Sequence, residues 1–185
     1  MHIPLLLTLV RLIVAPLFLP ILLVAFLPSN VFFINILLAA AFFVFSITDF
    51  FDGYLARRYQ LETMWGRLLD PLADKFLVFS TLIALVVVHK IYFLWVIIII
   101  GREFFVMSLR EIALSHNFSV PVSYLGKIKT AVQMMLIFFI ILNPYQHYGL
   151  ADGWNRIELA LLILALFFTF ISAWDYYRRF ARACC

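Results

Sequence analysis

Charged residues are scarce in this chain: Asp, Glu, Lys and Arg make up 13% of it, against roughly 25% in an ordinary soluble domain. Between Leu12 and Thr48 there is none at all, which excludes a normally hydrated surface for that stretch. Cysteine is nearly absent. Cys184 and Cys185 stand side by side at the end, so neither a disulfide framework nor a Cys/His metal knuckle can form. They make no C-a-a-X box, and we read them as a terminal tail rather than an acylation site. The amino end lacks the basic n-region and small-residue cleavage site of a removable signal, so its first apolar segment is expected to be permanent. The net charge of +4 is scattered beside apolar runs, with no basic patch interleaved with aromatics. That pattern points away from nucleic acid and towards a membrane surface. Internal repeats, low-complexity tracts and interdomain linkers are missing too.

What the chain has in abundance is apolar surface. Hydrophobic residues make up 66% of it and Phe alone occurs 21 times, more than one small core can bury, so most of that surface is expected to face lipid or other membrane helices. A membrane span needs roughly 20 apolar residues. Dividing the sequence at Pro28-Ser29-Asn30, at His89-Lys90 and at the remaining polar breaks predicts six spans, at about 5–27, 31–55, 67–88, 91–114, 124–143 and 157–177. The expected fold is all-α: a polytopic six-transmembrane-helix bundle forming a single domain over residues 1–185. Arg57, Arg58, Arg67, Lys127, Lys129, Arg178, Arg179 and Arg182 fall on one side if both termini are cytoplasmic. Lys90 and Arg156 fall on the other, with Trp154, Tyr145 and Tyr148 as interfacial anchors.

Ionisable groups inside a membrane bundle need a partner or a function, and here acids are concentrated. Asp49 and Asp52 are three apart near the end of the second span, and Asp70 and Asp74 are four apart at the start of the third. Either spacing puts a pair on one helix face. Gly53, Ala56 and Gly66 lie on the same faces and leave room for a ligand or a close backbone approach. Four carboxylates packed together repel one another at low dielectric. Two hard divalent cations, Mg2+ or Mn2+, would cancel that charge through oxygen ligands, and a two-metal site suits phosphoryl chemistry on a pyrophosphate substrate. The competing reading pairs the acids with Arg57, Arg58, Arg67 and Lys75 at the membrane surface, and the helical spacing with interleaved small residues favours the site. Pro71 either opens the third helix with Asp70 as its cap or lies inside a longer one.

The run Asp49-Phe-Phe-Asp52-Gly53-Tyr-Leu-Ala56-Arg57, followed at fixed spacing by Gly66, Asp70 and Asp74, resembles the D-x-x-D-G-x-x-A-R-x8-G-x-x-x-D-x-x-x-D signature of the CDP-alcohol phosphotransferase family, with every fixed position present. The resemblance implies a six-helix membrane core in the inner or plasma membrane, with an active site facing the cytoplasm. It also implies that Asp49, Asp52, Asp70 and Asp74 hold the metals, that Asp74 is in addition the catalytic base, and that Thr8, Gly53, Ala56, Arg57 and Thr63 bind the CDP-lipid. Three further stretches, Pro4 to Arg11 (with Leu5 where Asn is usual), Gly101 to Glu111 and Gly126 to Met134, resemble the branch that uses sn-glycerol 3-phosphate as acceptor. That likeness implies phosphatidyl transfer from CDP-diacylglycerol with release of CMP, and a homodimer by analogy.

Arg110, Lys127 and Lys129 are candidates for the acceptor's phosphate, against the simpler role of positive-side anchors. Arg102 and Glu103, near the middle of the fourth span, are expected to form a buried ion pair or network that fixes helix packing. His2, His89, His116 and His147 are isolated and poor candidates for ligand or base. Other acceptors (inositol phosphate, or phosphatidylglycerol) remain open alternatives. A transporter whose acids carry ions is the rival of a different class, and it lacks support because the acids cluster at one face instead of mid-membrane.

Overall fold

The computed structural model describes residues 16–58, 64–116, 124–143 and 153–184, with the side chains of 48–74, 114 and 183–184 outside the description. Every element among the described residues is helical. A first helix, α1, runs over Pro16–Ser29, its last turn tightened to 3-10 geometry at Leu27–Ser29. It is followed by α2 (Phe32–Arg58), α3 (Met64–Val87), α4 (Phe93–Ser115), α5 (Tyr124–Leu142) and α6 (Gly153–Cys184). Helices α2 to α5 coincide with the expected spans to within a few residues and α6 runs well past its expected end, whereas the part of the first expected span before Pro16 lies outside the described residues. Helix α3 also begins before Pro71, which is therefore an interior residue lacking the N–H for one helical bond.

The chain forms two compact units, Met1–Ile91 with Phe138–His147, and Tyr92–Ile137 with Tyr148–Cys185. The first contains α1, α2, α3 and the end of α5. Its opening turn uses the expected punctuation: Pro28 sits early in the 3-10 turn, the Ser29 hydroxyl donates to the Phe26 carbonyl at 2.6 Å, and Asn30 takes a left-handed φ of 55°. Buried positions follow helical stripes, Leu19, Leu23 and Leu27 on α1 and Leu38, Ala39 and Phe42 on α2. The opposite faces are apolar as well. Phe33 is 67% exposed and Val44 59%, the distribution of a helix whose outer face meets lipid instead of water.

Helix α3 ends in a Schellman motif. The Lys90 N–H donates to the Leu85 carbonyl at 2.9 Å and the His89 N–H to Val86 at 3.0 Å. His89 occupies the left-handed position at φ 57°, where glycine is usual. The turn delivers Lys90 to the interior: its ammonium donates to the main-chain carbonyl of Asn143 at 2.7 Å, and the Asn35 amide reaches the same oxygen at 3.2 Å. Asn143 directly follows α5, so the cation also meets the negative end of that helix dipole. The clasp brings together the start of α2 and the end of α3, which makes those two helices an antiparallel hairpin.

In the second unit α4 and α6 run parallel, with Leu109 and Ala113 packed on Tyr176, and α5 antiparallel to both. Helices α5 and α6 (Tyr124–Leu142 and Gly153–Arg182) are the two among the described residues that are long and apolar enough to cross a membrane. Helix α4 has the length, but any stretch of spanning length includes Arg102, Glu103 and Arg110.

Candidate active site

The acids lie on the α2–α3 hairpin, at the end opposite the Asn35–Lys90–Asn143 clasp. Helices α2 and α3 pack on each other, and only residues 59–63 join them. Asp52 stands six residues before the end of α2 and Asp70 six after the start of α3, each about 9 Å along its helix at 1.5 Å per residue. Asp49 and Asp74 stand nine and ten residues in, about 14–15 Å. The antiparallel backbones thus carry the two pairs at matching levels of one hairpin. The acids at those levels are all carboxylates, a residue type that suits hard divalent cations better than zinc. Gly53, Ala56 and Arg57 occupy the last turns of α2. The side chains of all these residues lie outside the described ones, as do Thr8 and Thr63 altogether. Among described side chains no group of three His, Cys, Asp or Glu stands together.

The second unit places the cationic candidates. Arg110 and Lys127 are exposed, whereas Lys129 is 3% exposed and its ammonium contacts the Glu103 carboxylate. Glu103 also receives Arg102 Nη1 at 2.9 Å, and Arg102 Nη2 donates to the Ser172 hydroxyl on α6 at 2.9 Å. Ser172 in turn donates to the Phe168 carbonyl. Gln133 and Thr169, at 3.3 Å, add a second polar tie between α5 and α6. The expected network around Arg102 and Glu103 is therefore present and joins three helices. These buried and half-buried charges are tolerable because each one is met by a partner across the helix interface.

Sequence reading missed Ser172, Thr169, Asn35 and Asn143 as partners. The signal available was a polar residue inside an apolar stretch, yet Ser and Thr also satisfy themselves on their own helix, as Thr81 does on the Leu77 carbonyl at 2.8 Å. Pattern alone does not separate the two uses.

Comparison with known proteins adds the chemistry. A family model described as CDP-alcohol phosphatidyltransferase matches residues 1–172. Among curated relatives, a protein of Rickettsia bellii is 40% identical over 145 residues, covering 76% of each chain. One of Pectobacterium atrosepticum is 39% identical over 183 residues, covering 95% of this chain and 92% of its own. A third, from Escherichia coli K12, is 41% identical over 150 residues, covering 77% and 78%. Each of the three relatives is named CDP-diacylglycerol--glycerol-3-phosphate 3-phosphatidyltransferase.

Proposed function

The chain belongs to the CDP-alcohol phosphatidyltransferase family, and on that footing we propose that it transfers the phosphatidyl group of CDP-diacylglycerol to sn-glycerol 3-phosphate, giving phosphatidylglycerol phosphate and CMP. The observation that carries this reading is the family signature standing as two pairs of acids at matching levels of one helical hairpin. The names of relatives that cover up to 95% of the chain support the acceptor.

In this mechanism Asp74 accepts the proton of an acceptor hydroxyl. The freed oxygen attacks the lipid-bearing phosphorus, and the bond from that phosphorus to the CMP oxygen breaks, CMP leaving with the bonding electrons. Asp49, Asp52, Asp70 and Asp74 would hold two divalent cations, Mg2+ or Mn2+, which when bound offset the charge of the pyrophosphate and of the departing CMP. Arg57 grips the pyrophosphate, Gly53 and Ala56 let the nucleotide approach the α2 backbone, and Thr8 and Thr63 complete the donor's contacts. Arg110 and Lys127 bind the phosphate of the acceptor. Lys129 contributes positive potential that it shares with Glu103.

The substrates come from different solvents, a lipid and a soluble phosphate ester. The reading therefore includes a single six-span membrane domain over residues 1–185, in the inner or plasma membrane, with both termini and the acid-bearing end of the hairpin cytoplasmic, and a homodimer as its assembly. The placement of Arg57, Arg58, Lys127, Arg178 and Arg182 supports that orientation. The test is a detergent assay of purified protein with CDP-diacylglycerol and a panel of acceptors. CMP release that requires glycerol 3-phosphate and Mg2+ together is the expected result. Release with inositol phosphate or phosphatidylglycerol instead would change the acceptor, and ion flux without CMP would remove the reaction.

A further inference from the structure

Helix α6 has two unlike faces in its second half. One is committed to the protein: Ser172 takes Arg102, and Tyr176 packs on Leu109 and Ala113 with Phe180 beside it. The other carries Phe167, Phe170 and Trp174 at steps of three and four, then Tyr177 and Arg178 three and four beyond Trp174 and Arg182 four beyond Arg178, which keeps them on one broad stripe. It is open along its length, with Phe167 56%, Phe170 60%, Trp174 63% and Tyr177 45% exposed and both arginines exposed. The order of chemistry along the stripe is bare hydrocarbon, then aromatic rings with polar edges, then cations. A lipid leaflet has the same order from its acyl core outwards.

The dimensions agree. Trp154 and Trp174 lie twenty residues apart on the same helix, about 30 Å, the thickness of a hydrocarbon core. With Trp174 at the boundary, the Arg178 backbone stands about 6 Å beyond it, within a headgroup layer roughly 5–8 Å deep. The Arg182 backbone stands about 12 Å beyond, just outside that layer, from where a long side chain tilted towards the helix N-terminus can reach back to it. The Trp174 and Tyr177 rings sit 6.1 Å apart and tilted by 34°, forming one aromatic platform at that boundary. Arg179, off the stripe, is paired with Asp175 at 3.1 Å, so the charge presented to the leaflet is that of Arg178 and Arg182.

We propose that this stripe is a binding site for an anionic phospholipid, whose acyl chains lie along Phe167 and Phe170, whose glycerol region meets the Trp174–Tyr177 platform, and whose phosphate is taken by Arg178 and Arg182. The occupant is a membrane lipid, not free phosphate, because the cations continue an apolar stripe that a soluble anion does not use. The site rests on α6 as a membrane span and is independent of the proposed reaction, so the two stand or fall separately.

The test is native mass spectrometry of the full-length protein in detergent, titrated with phosphatidylglycerol and with phosphatidylcholine of identical acyl chains. The intact protein retains phosphatidylglycerol about tenfold or more over phosphatidylcholine, and Arg178→Gln with Arg182→Gln removes that preference while total lipid uptake persists. Arg178→Gln alone lowers the preference partway, and Arg179→Gln, whose charge Asp175 already meets, changes it little. Equal retention of both lipids by the intact protein, or an unchanged preference in the double variant, overturns the site. So does displacement of the lipid by millimolar inorganic phosphate, or a salt-sensitive dimer in its place, which would assign the stripe to a free anion or to a second copy.

Discussion

Glu103 on α4 and Lys129 on α5 form an ion pair in which neither side chain is a tenth exposed, and Arg102 extends the same carboxylate's network to Ser172 on α6. Removing one member of a buried pair leaves the other charge uncompensated. Glu103→Gln is therefore expected to destabilise the detergent-solubilised protein by about 3–5 kcal/mol. Adding Lys129→Met should recover much of that loss, since the second change removes the orphaned cation. Thermal unfolding of the two single variants and the double variant gives the coupling, and additive losses would show that the pair is not energetically linked.

The Asn143 carbonyl offers a second comparison of magnitudes. Lys90 gives it a charged donor at 2.7 Å, whereas Asn35 gives a longer neutral one, and Asn35 Oδ1 is itself buried without a hydrogen-bond partner. Lys90→Met is expected to cost about 1.5–3 kcal/mol. Asn35→Leu removes an unsatisfied acceptor along with the donor and should cost less, about 1 kcal/mol or under. A larger loss for Asn35→Leu in thermal unfolding would reverse this ranking.

His89 holds a left-handed conformation that costs an L residue about 1–2 kcal/mol. Glycine escapes that cost but is freer in the unfolded chain, so His89→Gly should be neutral or stabilising by up to about 1 kcal/mol. A branched side chain strains the same turn, and His89→Val is expected to lose about 1–2 kcal/mol or more. Melting temperatures of the two variants should move apart.

For the proposed reaction, Asp74→Asn is expected to lower turnover at least about a hundredfold while the protein remains extractable and monodisperse. Chelation of divalent ions should abolish turnover of the unmodified protein, with recovery on adding Mg2+ or Mn2+. Retained turnover in the variant would remove Asp74 from the role of base.

Acceptor binding separates from catalysis in the exposed cations. Arg110→Ala and Lys127→Ala are each expected to raise KM for glycerol 3-phosphate about tenfold, in line with the loss of a charged hydrogen bond, and to leave KM for CDP-diacylglycerol nearly unchanged. Equal effects on both constants would argue that these residues support structure.

Much of the molecule could be read without coordinates, because a membrane simplifies what a sequence must encode. Apolar runs of spanning length separated by Pro28-Ser29-Asn30 and His89-Lys90 become helices almost by necessity, since every backbone group in lipid has to be bonded within its own segment. The spacing of Asp49, Asp52, Asp70 and Asp74 is likewise visible in one dimension, as is the need of a mid-span Glu103 for partners.

What the residue order left open was the choice among partners. Glu103 and Arg110, seven apart, share a helical face, yet the contacts seen are with adjacent Arg102 and with Lys129, twenty-six residues away. Pro71 was compatible with a helix start or a helix interior, and only the continuous α3 chose the second. Composition and periodicity thus determined that the described residues are helical, where those helices lie and which residues are candidates for chemistry. Tertiary structure decided which helices meet, and so which buried polar group finds which donor, because that depends on how α4, α5 and α6 are rotated about their axes, a quantity that an almost uniformly apolar surface does not encode.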